Sequence, residues 1–427
     1  MASPQSTFER VGRRAHRERA RLGGGSATVE AKRKSEVQGS FSQKEFWKSA
    51  LGFRPFFLLA GVAGATIVPL WVLIYLGYLP FRSYYEPVNW HGHEMVFGFT
   101  AAVVAGFLLT AVRGWTGRET VRGWKLLALI LVWTAGRLVP LVAAVPRMVV
   151  ALVDLAFVPC LLAAILPALW RDGQLRNLAV VPVLLALFCA DLLVHLEVLG
   201  WLGKVARLGT YMAVDVVALL IVVVGGRVIP FFTQRALGLT PIRSRVWIEW
   251  ASIGSAAALV AVAPFARSSA AAMAAAGLAA AANALRLMAW HDRRVWSLPL
   301  LWVLYLGYGW LVGGFALRAL AIAGWVPAVL ALHATTAGAI GVLTLGMMAR
   351  VSLGHTGRAL DPPAAAVASF VLVNLAVVAR VVLPLALPAS YGALLAFSAV
   401  FWTSAFGLFL VAYAPMLLRP RIDRRLD

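Results

Sequence analysis

Trp90-His91-Gly92-His93-Glu94-Met95, continued by an apolar run to Val112 and closed by Trp115-Thr116-Gly117-Arg118, is the stretch that decides how this chain folds. It places two imidazoles and a carboxylate at the mouth of a run long enough to cross a bilayer. Ionisable groups at such a depth are costly unless a partner, a metal or a water-filled cavity compensates them. The stretch also has a second copy. A shift of 240 residues pairs Pro87 with Pro327, His93 with His333, Gly98 with Gly338, Gly106 with Gly346, Gly114 with Gly354, and Thr116-Gly117-Arg118 with Thr356-Gly357-Arg358. Eight of the 32 aligned positions are identical, without a gap. The identities include His, Pro, Thr and Arg, which shared hydrophobicity alone does not produce, so we read an internal repeat centred on a histidine.

Working outward, 61% of the 427 residues are hydrophobic and only 13% are charged, with a mean hydropathy of +0.82. A water-soluble globule is excluded. Apolar runs of roughly 20 residues, the length that spans the hydrocarbon core, follow one another to the C-terminus. They are too long for barrel strands and must satisfy their own backbone groups, so they are helices. The expected spans are 55–79, 91–112, 124–144, 147–169, 177–200, 207–231, 246–266, 270–290, 297–319, 326–349, 363–387 and 391–415. The fold class is therefore all-α: a polytopic membrane helix bundle of about twelve transmembrane helices with an internal parallel repeat. Residues 1–50, rich in Arg, Lys, Ser and Gly, are expected to form a disordered basic cytoplasmic tail, and 51–420 the twelve-span membrane domain. Cys160 and Cys189 lie in apolar runs and are expected to be small core residues.

The net charge of +21 is spread over the tail and the helix ends, with no soluble domain to present it, which argues against nucleic acid as a partner. Lys and Arg are concentrated in the tail and the even-numbered connections. Both termini are therefore expected in the cytoplasm. This orientation converts position into depth. His91, His93 and Glu94 fall near the outer face, as do His333 at the start of the tenth span, His195 with Asp191 one helical turn before it in the fifth, and Asp215 in the sixth. His291, His355 and the two Thr-Gly-Arg turns fall at the opposite face, where Gly and Arg ordinarily close helix C-termini. Arg137, Arg227, Arg286 and Arg380 lie within spans and each needs a carboxylate, a carbonyl or an anion. Arg227 and Arg286, near span ends, have snorkelling open to them as well.

Imidazoles from different helices facing one cavity are what non-covalent haem ligation needs, and no Cys-x-x-Cys-His attachment motif is present. His93 and His333 are the candidate haem ligands, with His195 supporting the pocket and Glu94 or Asp191 orienting an imidazole. The ordinary alternative is a histidine bonded to a local carbonyl. For copper, His91, Met95, Cys189, Met347 and Met348 are available donors. His91 and His93, two residues apart, point in nearly opposite directions on a regular helix and share one metal only if the helix begins at or after His91. His355, standing in the second copy where Trp115 stands in the first, is expected to form a cytoplasmic gate or second metal site together with the two Thr-Gly-Arg turns, Arg118 and Arg358 among them, and His91 at the outer face is a separate candidate metal ligand.

Gly52-Phe53-Arg54-Pro55-Phe56-Phe57-Leu58, His91 to Phe99, Ala105 to Val112, Trp115 to Arg118, and Arg350-Val351-Ser352-Leu353-Gly354-His355-Thr356-Gly357-Arg358 resemble the NnrS family, from Gly52 to the last helix. The resemblance implies a bacterial inner-membrane protein of about twelve spans, containing haem and copper and serving the nitric oxide response in denitrifying metabolism, with nitric oxide or a derived species as ligand and the lipid bilayer as its surroundings. Two departures stand out. Tyr305, in Leu304-Tyr305-Leu306-Gly307-Tyr308, occupies the place of a family histidine, and the basic tail before Gly52 is extra to the pattern. Other classes stay open beside this one: a transporter built from parallel repeats, or a sensor or assembly factor for a respiratory metalloenzyme. Whether the protein is an enzyme or a binding protein is left open too.

Overall fold

The computed structural model describes residues 50–172, 175–240, 242 and 245–422. The expected disordered tail therefore lies, apart from Ala50, outside the described residues. Twelve helical spans follow in order: α1 (Phe53–Tyr75), α2 (Pro87–Thr116), α3 (Gly123–Leu141), α4 (Arg147–Arg171), α5 (Val180–Val198), α6 (Ala206–Leu237), α7 (Val246–Ala266), α8 (Ala270–Trp290), α9 (Pro299–Ile322), α10 (Ala328–His355), α11 (Ala364–Ala386) and α12 (Pro388–Leu417). Eleven of them are long and apolar enough to cross a membrane, and in α7 the described apolar stretch is the shorter Val246–Val262. The chain is a multi-pass helical membrane protein, with no strand among the described residues. The expected limits 246–266 and 270–290 match α7 and α8 to the residue.

Local chemistry sets the ends. Pro87, Pro299 and Pro388 sit in first turns, where a missing N–H costs nothing. Ser269 caps α8 by accepting from the Ala272 amide. The Thr-Gly-Arg turns close α2 and α10 with Gly117 and Gly357 at φ 65° and 74°, left-handed values that glycine adopts without strain.

The repeat survives in three dimensions. In both copies the helix becomes π-helical directly after the aligned histidine, at Glu94–Thr100 in α2 and at Ala334–Gly341 in α10. Both then return to α-helix and end in a threonine that donates to the carbonyl four residues back, Thr116 to Val112 and Thr356 to Ser352. The paired glycines are packing devices, because in lipid close approach of backbones replaces the hydrophobic drive. A Cβ on Gly106 would meet Phe57 of α1 at 2.9 Å, and one on Gly346 would meet Val303 of α9 at 2.7 Å. Each copy thus presses on the span before it. The chain closes through α12, which packs on α1: Trp402 donates to the Gly64 carbonyl at 2.9 Å, and the buried Arg54 donates to the carbonyls of Met416, Leu417 and Arg419 at the end of α12.

Two expectations change. Cys160 and Cys189 are exposed rather than core residues, on outward faces of α4 and α5. Arg286 does not snorkel: it is 1% exposed, pairs with Glu249 and donates to the Val222 carbonyl at 2.7 Å, in space left by Gly226, where any Cβ would overlap the guanidinium.

Candidate functional site

Because α2 begins at Pro87, four residues before His91, the two histidines of His91-Gly92-His93 leave a formed helix about 200° apart and serve different sites. His93 faces α4 and α5. His91 faces α1, α10, α11 and α12.

On the first side, His93, Asp154, Asp191 and His195 are all buried, and one ligand atom from each lies within 4.8 Å of the others. His93 Nε2 is 3.0 Å from Asp191 Oδ1 and 3.1 Å from Asp154 Oδ2, and His195 Nε2 is 3.7 and 3.5 Å from the same two atoms. A second layer orients them. His93 Nδ1 lies 3.3 Å from Glu94 Oε1, and His195 Nδ1 lies 3.2 Å from the Tyr84 hydroxyl. Arg137 is held between Asp154 and Glu94, 3.4 Å from the latter, in room kept open by Gly98. The Tyr85 hydroxyl donates to Asp154 Oδ2 at 2.8 Å and touches His93 Nε2 at 3.1 Å. Tyr84 and Tyr85 stand in the connection before α2. Burial first, then the carboxylates of Asp154 and Asp191, hold both phenols above their ordinary range, so each hydroxyl keeps its proton.

On the other side of α2, a cavity of about 370 Å³ is lined by His91 and His333 together with Trp71, Arg207, Tyr211 and Arg380. The His91 ring stacks on Trp71 at 4.8 Å with 10° between planes, and its Nδ1 is buried without a hydrogen-bond partner. His333 Nδ1–H donates to the Val329 carbonyl at 2.8 Å, which fixes the tautomer and turns the Nε2 lone pair away from its own helix. Arg380 sits in a third π-helical segment, Val378–Val382, with its guanidinium carbon 5.3 Å from the Tyr391 ring centroid and Nη1 buried without a partner. Unsatisfied polar atoms around an apolar cavity are the mark of a place built for a ligand.

The structure therefore regroups the expected residues. His93, His195, Glu94 and Asp191 do converge, but His333 does not join them, and the imidazole sharing its cavity is His91. His355 lies at the far end of α10, its ring 5.5 Å from that of Phe53, and among the described residues no group of three or more potential metal donors includes it. Arg118 donates to the Arg171 carbonyl at 3.2 Å, and Arg358 follows Gly357 in the turn after α10; both belong to helix ends remote from the two sites. Tyr305 bonds the Trp290 carbonyl at 2.6 Å and the Thr233 hydroxyl at 3.1 Å, a contact among α6, α8 and α9. Asp215 shares the layer of the histidines but pairs with Arg318 at 2.5 Å. Asp154, Tyr84, Tyr85, Trp71 and Arg207 were not singled out by sequence. Of these, Asp154 carried a signal, as an acid inside the apolar run Met148–Phe157, whereas the tyrosines sit in a polar connection where nothing marks them.

The protein is a helical membrane bundle with one buried histidine–carboxylate cluster, whose four donor atoms lie close enough together to hold a metal ion, and one histidine-lined cavity, both near the start of α2. The NnrS protein family profile matches residues 48–421, and the chain belongs to that family. No curated protein matches the chain.

Proposed function

We propose that this is a haem- and copper-binding protein of the bacterial inner membrane that takes part in the nitric oxide response, protecting against nitrosative stress in denitrifying metabolism. In this reading residues 51–420 form the twelve-span unit, residues 1–50 a basic tail, and both ends are cytoplasmic. Family membership supports the cellular role, and one structural observation carries the haem: His91 and His333, from two separate spans, border the same cavity, with His91 Nδ1 and Arg380 Nη1 buried and unpartnered there. The residues fit an iron porphyrin. His91 and His333 would hold the iron, Arg207 and Arg380 would face its carboxylates, and Trp71 would wall one side. Such a group would supply one-electron chemistry and an iron able to bind nitric oxide.

The protein's own residues do the rest. The Val329 carbonyl holds His333 in the tautomer that leaves Nε2 available, and the stack on Trp71 fixes the plane of His91. Apolar side chains, among them Val72, Val96, Phe99 and Trp402, make up much of the wall around the two imidazoles. Substituting Ala for His91 or for His333 is expected to reduce the pyridine haemochrome per inserted protein to background, while His93→Ala leaves it in place. Retention of full haem by both cavity variants would overturn the assignment. A colourless, metal-free wild-type protein would favour the transporter reading instead.

A further inference from the structure

We propose that His93, His195, Asp154 and Asp191 form a binding site for one divalent transition-metal ion of the zinc or copper(II) class. The inference stands whether or not the cavity beyond α2 holds haem.

Three observations carry it. The first is geometry. Four ligand atoms around a tetrahedral ion at bond lengths of about 2.0 Å lie about 3.3 Å from one another. Four of the six edges, those between imidazole and carboxylate, measure 3.0, 3.1, 3.5 and 3.7 Å, and all four atoms lie within 4.8 Å of one another, with both histidines presenting Nε2 inward. The second is the outer layer. Three of the four ligands have the far atom tied down: His93 Nδ1 by Glu94, His195 Nδ1 by Tyr84 and Asp154 Oδ1 by Arg137. Carboxylate and hydroxyl partners on the second ring nitrogen are what orients metal-bound imidazoles. The third is the balance of charge and of hydrogen bonds. Glu94, Asp154 and Asp191 set three carboxylates against the one guanidinium of Arg137, leaving two negative charges in a dry interior, which one divalent cation neutralises. His195, 0% exposed, has Nε2 aimed into the cluster with no hydrogen-bond partner.

The competing account is a closed ion-pair network in which both imidazoles carry protons. The donor set of two nitrogens and two oxygens, without sulfur, distinguishes among metals: it suits zinc and copper(II) and does not suit copper(I). The test uses the full chain purified in detergent without a histidine tag, stripped with a chelator and titrated with Zn²⁺ against a competing indicator. The outcome expected is one tight equivalent. Asp191→Asn and His195→Ala are expected to weaken it at least tenfold, and Tyr84→Phe, acting through His195, by about tenfold to a hundredfold. His333→Ala is expected to leave it unchanged. With Cu²⁺ as the probe, the nitrogen hyperfine pattern of the electron paramagnetic resonance spectrum should report two imidazoles in the wild type and one in His195→Ala. Should His195→Ala fail to insert, the isosteric Asp191→Asn decides. A wild type that binds no Zn²⁺, or variants that bind it as tightly as the wild type, would establish the closed network and overturn the metal site. Loss of haem with Zn²⁺ binding intact leaves this inference standing and removes only the reading of the cavity.

Discussion

Arg137 is the residue on which the balance of the cluster turns. It is the only arginine or lysine paired with Glu94 and Asp154 among the described residues, and removing one partner of a buried pair leaves charge uncompensated. Arg137→Leu is expected to destabilise the inserted protein by about 3–5 kcal/mol, read as a lower midpoint of thermal unfolding in detergent. If the cluster is loaded with a divalent ion, excess Zn²⁺ should restore part of that loss; an unchanged midpoint would mean that the two carboxylates are satisfied elsewhere. The sequence let Asp191 and His195 be placed on one helical face, because four residues make about one turn. It also marked Arg137 as needing a carboxylate, a carbonyl or an anion. It could not supply Asp154 as that carboxylate, because the two lie on neighbouring spans and their meeting depends on how α3 and α4 pack.

At the scale of the element, the π-helical segments do what no hydropathy pattern reveals. A π segment fits one more residue into a turn than an α-helix does, so the helix before it is rotated relative to the helix after it by about 100°. In α2 this lets the first two turns aim His91 and His93 at two sites while the remainder packs Gly106 against Phe57 of α1. Deleting one residue within Glu94–Thr100 is expected to restore a regular helix and turn both histidines off their sites. The protein should still insert, yet lose haem and Zn²⁺ binding together. Adding a single alanine back at the same place should recover both, measured on the same preparations. Continued binding by the deletion variant would show that the segment has no part in aiming the histidines. The structure sets His93 and His333, expected to share a ligand, at different sites, and the reason lies at this level. Aligned positions were taken to point alike, but α2 carries a second histidine one helical face away and α10 has Ala331 in its place.

Over the whole molecule, most of the architecture was legible: the all-helical class, the position of nearly every span and the parallel repeat all follow from run length and self-similarity. The neighbour relations were not, and the contact of α12 with α1 depends on Arg54, Gly61 and Gly64 meeting residues more than three hundred positions away. The proposed orientation makes a direct prediction. Alkaline phosphatase fused in the connection near Tyr84 should be active, and a fusion near Gly123 inactive. The opposite pattern would put the histidine layer on the cytoplasmic side.

The matched π segments also speak to origin. They fall at corresponding places in an alignment that needs no gap, as expected if the extra residue was already present in a shorter ancestor when that ancestor doubled. The histidine before the segment is the feature that both copies keep. His91 has no counterpart in α10, where Ala331 stands, so the two halves are alike in the turn that aims the helix and unlike in the number of imidazoles each brings to it.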